Sequence, residues 1–222
     1  MTLKLIIGTK TYSSWSLRPW IAMVEGGIPF SEQVIALRKS ETASEIAAYS
    51  PGKKVPVLLD GDIVVWETIA ILEYLAERHP QVGLWPGDEA ARAHARAISA
   101  EMHAGFSALR GHCPMNFRRT PRARKHTPPE VLADVERVAA IWREARKAFG
   151  AGGPFLFGAH FGAADAMFAP VVHRLHAYDF KVPADTRAYM EAVMATKAWK
   201  RWRNRVTGSG LTPMSETSSC RC

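Results

Sequence analysis

The chain has 222 residues, of which 47% are hydrophobic and 23% charged, and its formal net charge is +8. This composition is typical of a soluble globular protein with one large or two small domains. It contains no run of about 18 apolar residues, so neither a transmembrane helix nor a membrane partner is predicted. The first apolar stretch is too short for a signal peptide, and a cytoplasmic location is therefore expected. The positive charge favours anionic partners, either nucleic acid or small acidic ligands.

The cysteines and histidines predict neither a disulfide framework nor a metal site. Cys220 and Cys222 lie in a polar segment, residues 208–222, which is predicted to be a disordered tail. The third cysteine, Cys113, has no evident pairing partner, which is consistent with a reducing compartment. The eight histidines are scattered without the paired spacing of metal ligands, so no metal is expected.

The first 80 residues predict the element order β-α-β-α-β-β-α. A strand, a helix and a second strand at the start indicate parallel pairing through a right-handed crossover. Two β-branched runs flank Asp60 and Gly61, which is a strong hairpin signal. The predicted elements are a strand over residues 3–9, a helix over 16–25, a strand over 31–37, a helix over 41–49, two strands in KKVPVLLDGDIVVWE, and a helix from Thr68 to the residues before Pro80.

Residues 81–90 are predicted to be a linker, because the character of the chain changes after them. Only helical periodicity follows, with apolar residues on one face of each segment. This pattern predicts an all-α domain over residues 91–207. Its predicted helices cover residues 89–109, 129–149, 163–178 and 185–205.

Two residue pairs at predicted strand ends are candidate ligand contacts. Pro56 begins a strand-like run, where a cis bond after Val55 would leave the Val55 backbone free to pair with an extended peptide. Glu67 and Thr68 lie where a strand gives way to a helix, and Thr68 is the predicted N-cap. The N–H groups of a helix start and the Thr68 hydroxyl hold a carboxylate, whereas Glu67 accepts from an ammonium group, and together these describe an amino acid terminus. A plain edge strand and a plain helix cap are the simpler alternatives.

Ser13 and Ser14 lie in the stretch TKTYSSWSLRPW, between the first predicted strand and the first helix. A serine hydroxyl at a helix start either caps the helix or donates to a thiolate, which lowers the pKa of the thiol. Pro19 would lose a hydrogen bond if the helix began as early as Ser14, so a later start is expected. The active hydroxyl therefore remains open among Ser13, Ser14 and Ser16.

The ordered set of these segments resembles the cytosolic glutathione transferase family over residues 3–205. The segments are YSSWSLR, the Val55–Pro56 pair, ETIAILEYL, and FLFG followed by Ala164 and Asp165. YSSWSLR is most similar to the SSCSWR pattern of the serine-type zeta class. The resemblance implies an α/β thioredoxin-like N-terminal domain (βαβαββα) over residues 1–80, followed by an all-α helical-bundle domain. It also implies a homodimer that uses glutathione as co-substrate, with no metal and no nucleic acid.

The resemblance implies a role for each matching residue. Ser13 falls on the catalytic serine of the zeta pattern and Arg18 on its arginine, so Ser13 (or Ser14) would donate a hydrogen bond to the glutathione sulfur, assisted by Arg18. The implied glutathione contacts are Lys54 (or Lys53), Val55, Pro56, Glu67 and Thr68.

A pocket for the second substrate is expected between the first domain and the long helix after the linker. Arg110 and Arg118 would bind an anionic electrophile there, and Met115 and Phe117 would form apolar walls. A basic surface loop without a ligand is the alternative.

The departures from the zeta pattern bear on the expected activity. Trp15 stands where the zeta motif has cysteine, and Gly162 stands where the family has a serine or threonine cap. Tyr178 and Asp179 stand where the zeta isomerases carry an arginine for a diacid substrate. The resemblance therefore implies a transferase acting on a small electrophile. A maleylacetoacetate isomerase and a non-catalytic interaction protein of the same fold are the alternatives.

Overall fold

The computed structural model describes residues 2–207, so the predicted tail with Cys220 and Cys222 lies outside the described residues. A 3₁₀ turn, Pro80–Val82, stands between the third and fourth helices. No helix within residues 2–207 is long and apolar enough to cross a membrane. The strands are β1 (Leu3–Gly8), β2 (Phe30–Ile35), β3 (Val57–Asp60) and β4 (Ile63–Trp66). The helices are α1 (Ser14–Glu25), α2 (Thr42–Ala47), α3 (Thr68–Arg78), α4 (Glu89–Ala104), α5 (Ser107–His112), α6 (Pro129–Phe149), α7 (Ala163–Ala177), α8 (Ala184–Ala195) and α9 (Lys197–Thr207).

The four strands form one mixed sheet in the order β2-β1-β3-β4. β1 is parallel to β2 and antiparallel to β3, and β3 is antiparallel to β4. The β3–β4 hairpin closes where Asp60 pairs with Ile63, with Gly61 in the left-handed region at φ 59°. The predicted order βαβαββα and the helical second half are confirmed.

The first helix begins earlier than predicted. α1 starts at Ser14, and Pro19 lies inside it. A proline in a helix has no N–H to donate, so the carbonyl of Trp15, one turn back, loses its helical partner. The hydroxyl of Thr68 takes its place and donates to the Trp15 carbonyl oxygen at 3.1 Å. The structure thus accommodates the proline because a distant side chain replaces the missing donor.

Two of the long predicted helices are each divided in two. The helix predicted over residues 89–109 is interrupted at Phe106, which is buried and has a φ of 57°. The helix predicted over residues 185–205 breaks at Thr196, whose hydroxyl accepts from the Trp199 backbone N–H at 3.2 Å and so caps α9. The apolar periodicity continues across both breaks, which explains why it predicted single helices.

Helix α7 lies at the centre of the molecule and packs against α1, α4 and α8. Its N-cap is Gly162, whose N–H donates to the Asp165 carboxylate at 2.9 Å. The same carboxylate accepts from the Leu156 N–H at 3.1 Å and from the Tyr189 hydroxyl at 3.0 Å. Burial raises the pKa of Asp165 to about 6. Gly162 therefore serves as the N-cap without a polar side chain of its own, because the Asp165 carboxylate accepts from its N–H.

His173 is an uncharged part of the second-domain core. Its ring stacks on Phe117 with centroids 4.0 Å apart, at an interplanar angle of 12°. Burial is the main reason that its pKa falls to about 3. The folded protein therefore keeps this imidazole neutral in mild acid.

Replacing His173 by phenylalanine is expected to make folding less sensitive to acid. An unfolded histidine binds a proton as the pH falls below about 6.5, whereas folded His173 does not until about pH 3. The stability that depends on neutral His173 is thus fully present above about pH 6.5 and is lost as the pH falls toward 3. At about pH 5 the loss amounts to about 2 kcal/mol. Denaturant unfolding at about pH 7.5 and at about pH 5 gives the free energy of unfolding at each pH. Its decrease between the two should be about 2 kcal/mol larger in the wild type than in His173→Phe. Equal decreases would contradict the view that folded His173 stays neutral.

Candidate functional site

The site is built where two helices begin side by side. α1 follows the turn after β1, and α3 follows β4 directly. The hydrogen bond from the Thr68 hydroxyl to the Trp15 carbonyl joins the first turns of both helices. The start of a helix carries unpaired N–H groups and a partial positive charge. Two such starts, held together, form a region suited to anionic groups such as a carboxylate and a thiolate.

The three serines of the first turn have different partners. Ser13 is the N-cap of α1, and its hydroxyl donates to Ser16 Oγ at 2.7 Å. Ser16 Oγ also accepts from the Gly8 backbone N–H at 3.0 Å. No hydrogen bond engages the Ser14 hydroxyl within residues 2–207. Ser13 and Ser16 therefore stabilise the turn, whereas Ser14 has a hydroxyl free to donate.

Glu67, and not Thr68, is the N-cap of α3. Its carbonyl accepts from the Ile71 N–H at 3.0 Å, and its φ and ψ are 67° and 127°. Thr68 is the first residue of the helix and is fully buried, and its hydroxyl donates to the Trp15 carbonyl rather than to a ligand carboxylate as predicted. A non-glycine residue in such a backbone region costs about 1–3 kcal/mol, and such residues cluster at ligand sites. The conformation leaves the Glu67 carboxylate half exposed beside the helix start.

The segment before β3 lies next to this helix start. The Val55–Pro56 peptide bond is cis, and the ladder begins one residue later, where Val57 pairs with Trp66. Val55 thus precedes the paired part of the strand. The backbone N–H of Lys54 donates to Ser50 Oγ at 3.2 Å, and its side chain is exposed. These residues are brought to the same end of the sheet as Glu67.

Arg18 is buried between the two domains. Its Nε donates to the carbonyl of Met167 in α7 at 2.9 Å, and one terminal nitrogen donates to the Ser14 carbonyl at 3.0 Å. The guanidinium carbon lies 4.1 Å from the centroid of the Trp15 ring. Burial, with Arg174 close by, lowers the pKa of Arg18 well below its ordinary value. A side chain with no exposed surface does not touch a ligand directly, so its position indicates support of the turn rather than contact with a sulfur.

The four residues predicted for the second-substrate pocket do not share one place. Arg110 lies 5.5 Å from the Trp15 ring and donates to the His103 carbonyl at 3.1 Å, so it faces the site. The side chains of Met115 and Phe117 are buried in the hydrophobic core that runs through both domains. Arg118 donates to the carbonyl of Val206 at the end of α9. Only Arg110 is therefore placed beside Trp15.

Two further residues, Trp15 and His103, lie at the site but were not predicted to contribute to it. Trp15 presents its ring to the second domain, where the His103 ring lies 5.0 Å away between centroids. His103 Nε2 is 3.8 Å from a carboxylate oxygen of Glu67. No local pattern marks His103, since a histidine in the last turn of a helix is common and its partners are distant in sequence. Within residues 2–207, no group of three or more His, Cys, Asp or Glu is placed to hold a metal.

Models of known protein families match both halves of the chain. Residues 12–78 match the model of the glutathione S-transferase N-terminal domain. Residues 121–205 match the model of the C-terminal domain of the same family. The two matches together cover most of the described chain.

Curated relatives match parts of the sequence. A probable maleylacetoacetate isomerase of Caenorhabditis elegans is 38% identical over 97 residues, covering 44% of this chain and 45% of that protein. The theta-3 glutathione S-transferase of Mus musculus is 31% identical over 153 residues, covering 66% of this chain and 62% of that protein. The chain thus spans less than two thirds of the length of either relative.

Solved structures share the fold over nearly the whole chain. A glutathione transferase homologue from Burkholderia gl BGR1, with bound glutathione, has a TM-score of 0.71 at 22% identity and covers 94% of this chain and all of its own. A diazinon-metabolizing glutathione S-transferase of the silkworm Bombyx mori has a TM-score of 0.72 at 20% identity, covering 94% of this chain and 98% of its own. At such identities the likeness concerns the fold alone.

Proposed function

Since the chain belongs to the glutathione S-transferase family, we propose that it binds glutathione, stabilises its thiolate and transfers it to a small electrophile. The observation that carries the proposal is the junction of the two helix starts through the Thr68–Trp15 hydrogen bond at 3.1 Å. This junction places a free serine hydroxyl and a strained glutamate on neighbouring helix ends. Glutathione offers a thiol and an amino acid terminus, which are the groups that these two features recognise.

The proposed glutathione contacts follow the extended shape of a tripeptide. The backbone of Val55, ahead of the β3 ladder and next to Pro56, pairs with the cysteinyl part. The partial positive charge at the start of α3, with the N–H groups that follow the buried Thr68 in its first turn, binds the carboxylate of the γ-glutamyl terminus, and the Glu67 carboxylate accepts from its ammonium. Lys54, exposed at the edge of this site, binds the glycine carboxylate.

The proposed chemistry is stabilisation of a thiolate by a hydrogen bond. The Ser14 hydroxyl donates to the glutathione sulfur, and the start of α1 adds its partial positive charge. A free thiol has a pKa near 8.5, so only a few per cent is thiolate at neutral pH. A hydrogen bond to a charged acceptor contributes about 1.5–3 kcal/mol, enough to lower this pKa by about one to two units. The sulfur then forms a bond to an electrophilic carbon as the leaving group departs with the bonding pair.

The electrophile in this proposal is small and carries a negative charge. Arg110 is half buried beside Trp15 and presents its guanidinium on the second-domain side of the site. An aromatic ring next to a cation suits a planar anionic molecule, since the ring gives apolar contact and the arginine binds the charge.

Isomerisation is the second candidate activity, because the Caenorhabditis elegans relative is a probable maleylacetoacetate isomerase. Tyr178 and Asp179 weigh against it, because they stand where the zeta isomerases carry an arginine for a diacid substrate. The Tyr178 hydroxyl donates to the Pro114 carbonyl at 3.0 Å and Asp179 pairs with Lys181, so neither side chain offers a cation to such a substrate. Product analysis separates the two activities, since isomerisation returns glutathione unchanged and conjugation consumes it. A non-catalytic interaction protein of the same fold would show neither reaction.

In this proposal the protein is a cytoplasmic homodimer. Ile63, Val64 and Trp66 are exposed on β4, the edge strand of the sheet, and an apolar edge strand favours pairing with a partner surface. Light scattering, which gives the mass in solution, distinguishes one copy from two.

Reduced glutathione is expected to raise the melting temperature of the wild type and not that of Glu67→Ala. A ligand that binds only the folded state, at about 100 times its dissociation constant, adds about 2.7 kcal/mol of stability. Glu67→Ala removes the carboxylate that accepts from the ammonium, so the shift should be largely lost. Glu73→Ala, on the same helix but paired with Arg96, is the control and should keep it. A wild type that shows no shift at high glutathione concentration would overturn the proposed function.

A further inference from the structure

His103 connects the second domain to the glutathione site. It lies in the last turn of α4, and its Nε2 is 3.8 Å from Glu67 Oε2. Its ring is tilted by 55° against Trp15, with centroids 5.0 Å apart. The imidazole therefore touches both groups of the first domain that flank the proposed glutathione site.

The two ring nitrogens of His103 have different surroundings. Nδ1 is buried and has no hydrogen-bond partner within the described part of the chain. If Nδ1 carried the ring proton, it would be a buried N–H donor without an acceptor, which costs more than a bare ring nitrogen in the same place. The single ring proton of a neutral imidazole therefore belongs on Nε2. This tautomer directs an N–H toward the Glu67 carboxylate.

We propose that His103 is a positioning residue for glutathione, because it holds the Glu67 carboxylate in the orientation that accepts the ammonium of the γ-glutamyl terminus. The inference rests on the proposed function. At 3.8 Å His103 Nε2 is too far from Oε2 for a hydrogen bond but close enough to attract it electrostatically, which leaves both carboxylate oxygens able to accept from the ammonium. A half-exposed glutamate otherwise loses rotamer freedom when it binds a ligand, and a partner that already restrains it reduces this cost.

The rest of the contact between α3 and α4 does not depend on His103. Arg96 in α4 forms two hydrogen bonds to the Glu73 carboxylate in α3, both at 2.9 Å. This pair joins the two helices without involving His103. Substitution of His103 therefore alters the environment of Glu67 and leaves the helix positions unchanged.

The test compares two substitutions by titration calorimetry with reduced glutathione. His103→Phe keeps a ring against Trp15 but has no N–H, and we expect glutathione binding to weaken about fivefold to tenfold. His103→Gln keeps an N–H donor and should bind within about twofold of the wild type. In steady-state assays the KM for glutathione should rise in His103→Phe, while kcat changes less than about twofold.

A double-mutant cycle identifies the partner. In a Glu67→Gln background, His103→Phe should change glutathione affinity by less than about twofold, because the carboxylate it acts on is gone. His112→Phe is the matched control, since His112 Nε2 at the end of α5 lies at the same 3.8 Å from Glu130 at the start of α6 and not from Glu67. Equal affinities of wild type and His103→Phe, or equal losses with and without Glu67, would overturn this inference alone. A wild type that does not bind glutathione would overturn the proposed function and this inference with it.

Discussion

Replacing Ser14 by alanine should raise the pKa of the bound glutathione thiol by about one to two units, the equivalent of about 1.5–3 kcal/mol. The expectation follows from the free hydroxyl of Ser14 at the start of α1. Ser13 already donates to Ser16 at 2.7 Å, so it has less to offer a ligand. Without the Ser14 hydroxyl, the thiolate keeps only the partial charge of the helix start.

The thiolate itself can be measured, without any electrophile, by its ultraviolet absorbance in a pH titration of the complex with glutathione. Ser13→Ala is the matched control and should shift the pKa by less than about half a unit, although it removes a bond from the turn. Glutathione affinity near neutral pH should fall less in Ser14→Ala than in Glu67→Ala, since Ser14 acts on the sulfur. A shift in Ser13→Ala with none in Ser14→Ala would exchange the roles of the two serines.

Replacing Trp202 by alanine should lower the free energy of unfolding by about 3–5 kcal/mol. Trp202 is fully buried in α9, and its indole N–H donates to the carbonyl of Lys10 at 3.1 Å. Its ring packs edge-on against Trp20 with centroids 5.0 Å apart, and the Lys10 ammonium lies 5.1 Å from it. The truncation therefore creates a cavity between the domains and leaves a buried carbonyl unpaired.

Denaturant unfolding at neutral pH measures this loss. Leu132→Ala is the control, since Leu132 on α6 is 45% exposed, is not part of the apolar β4 edge proposed for the dimer, and its removal should cost much less. Lys10 lies three residues before Ser13, in the segment that leads to the start of α1. Trp202→Ala should therefore also weaken glutathione binding at temperatures where the protein is still folded. A loss in Trp202→Ala as small as that of Leu132→Ala would show that the packing of Trp202 on Lys10 and Trp20 does not stabilise the fold.

Local signals in the sequence were sufficient for the order of the elements. The turn at Asp60 and Gly61 forms the predicted hairpin, and the strand-helix-strand start pairs in parallel. These features depend on turn chemistry and on apolar periodicity over a few residues, which any short segment carries with it. Periodicity alone did not show the breaks at Phe106 and Thr196, because a kinked pair of helices keeps the same apolar stripe.

The family resemblance and the residues around the starts of α1 and α3, such as Ser14 and Glu67, could be read from the sequence. The contacts that join these helix starts to each other and to the second domain could not. The Thr68 hydroxyl reaches the Trp15 carbonyl across 53 positions, and Arg18 reaches Met167 across 149. A hydroxyl or guanidinium binds whichever partner the packed chain places within about 3 Å, and sequence spacing does not record that distance.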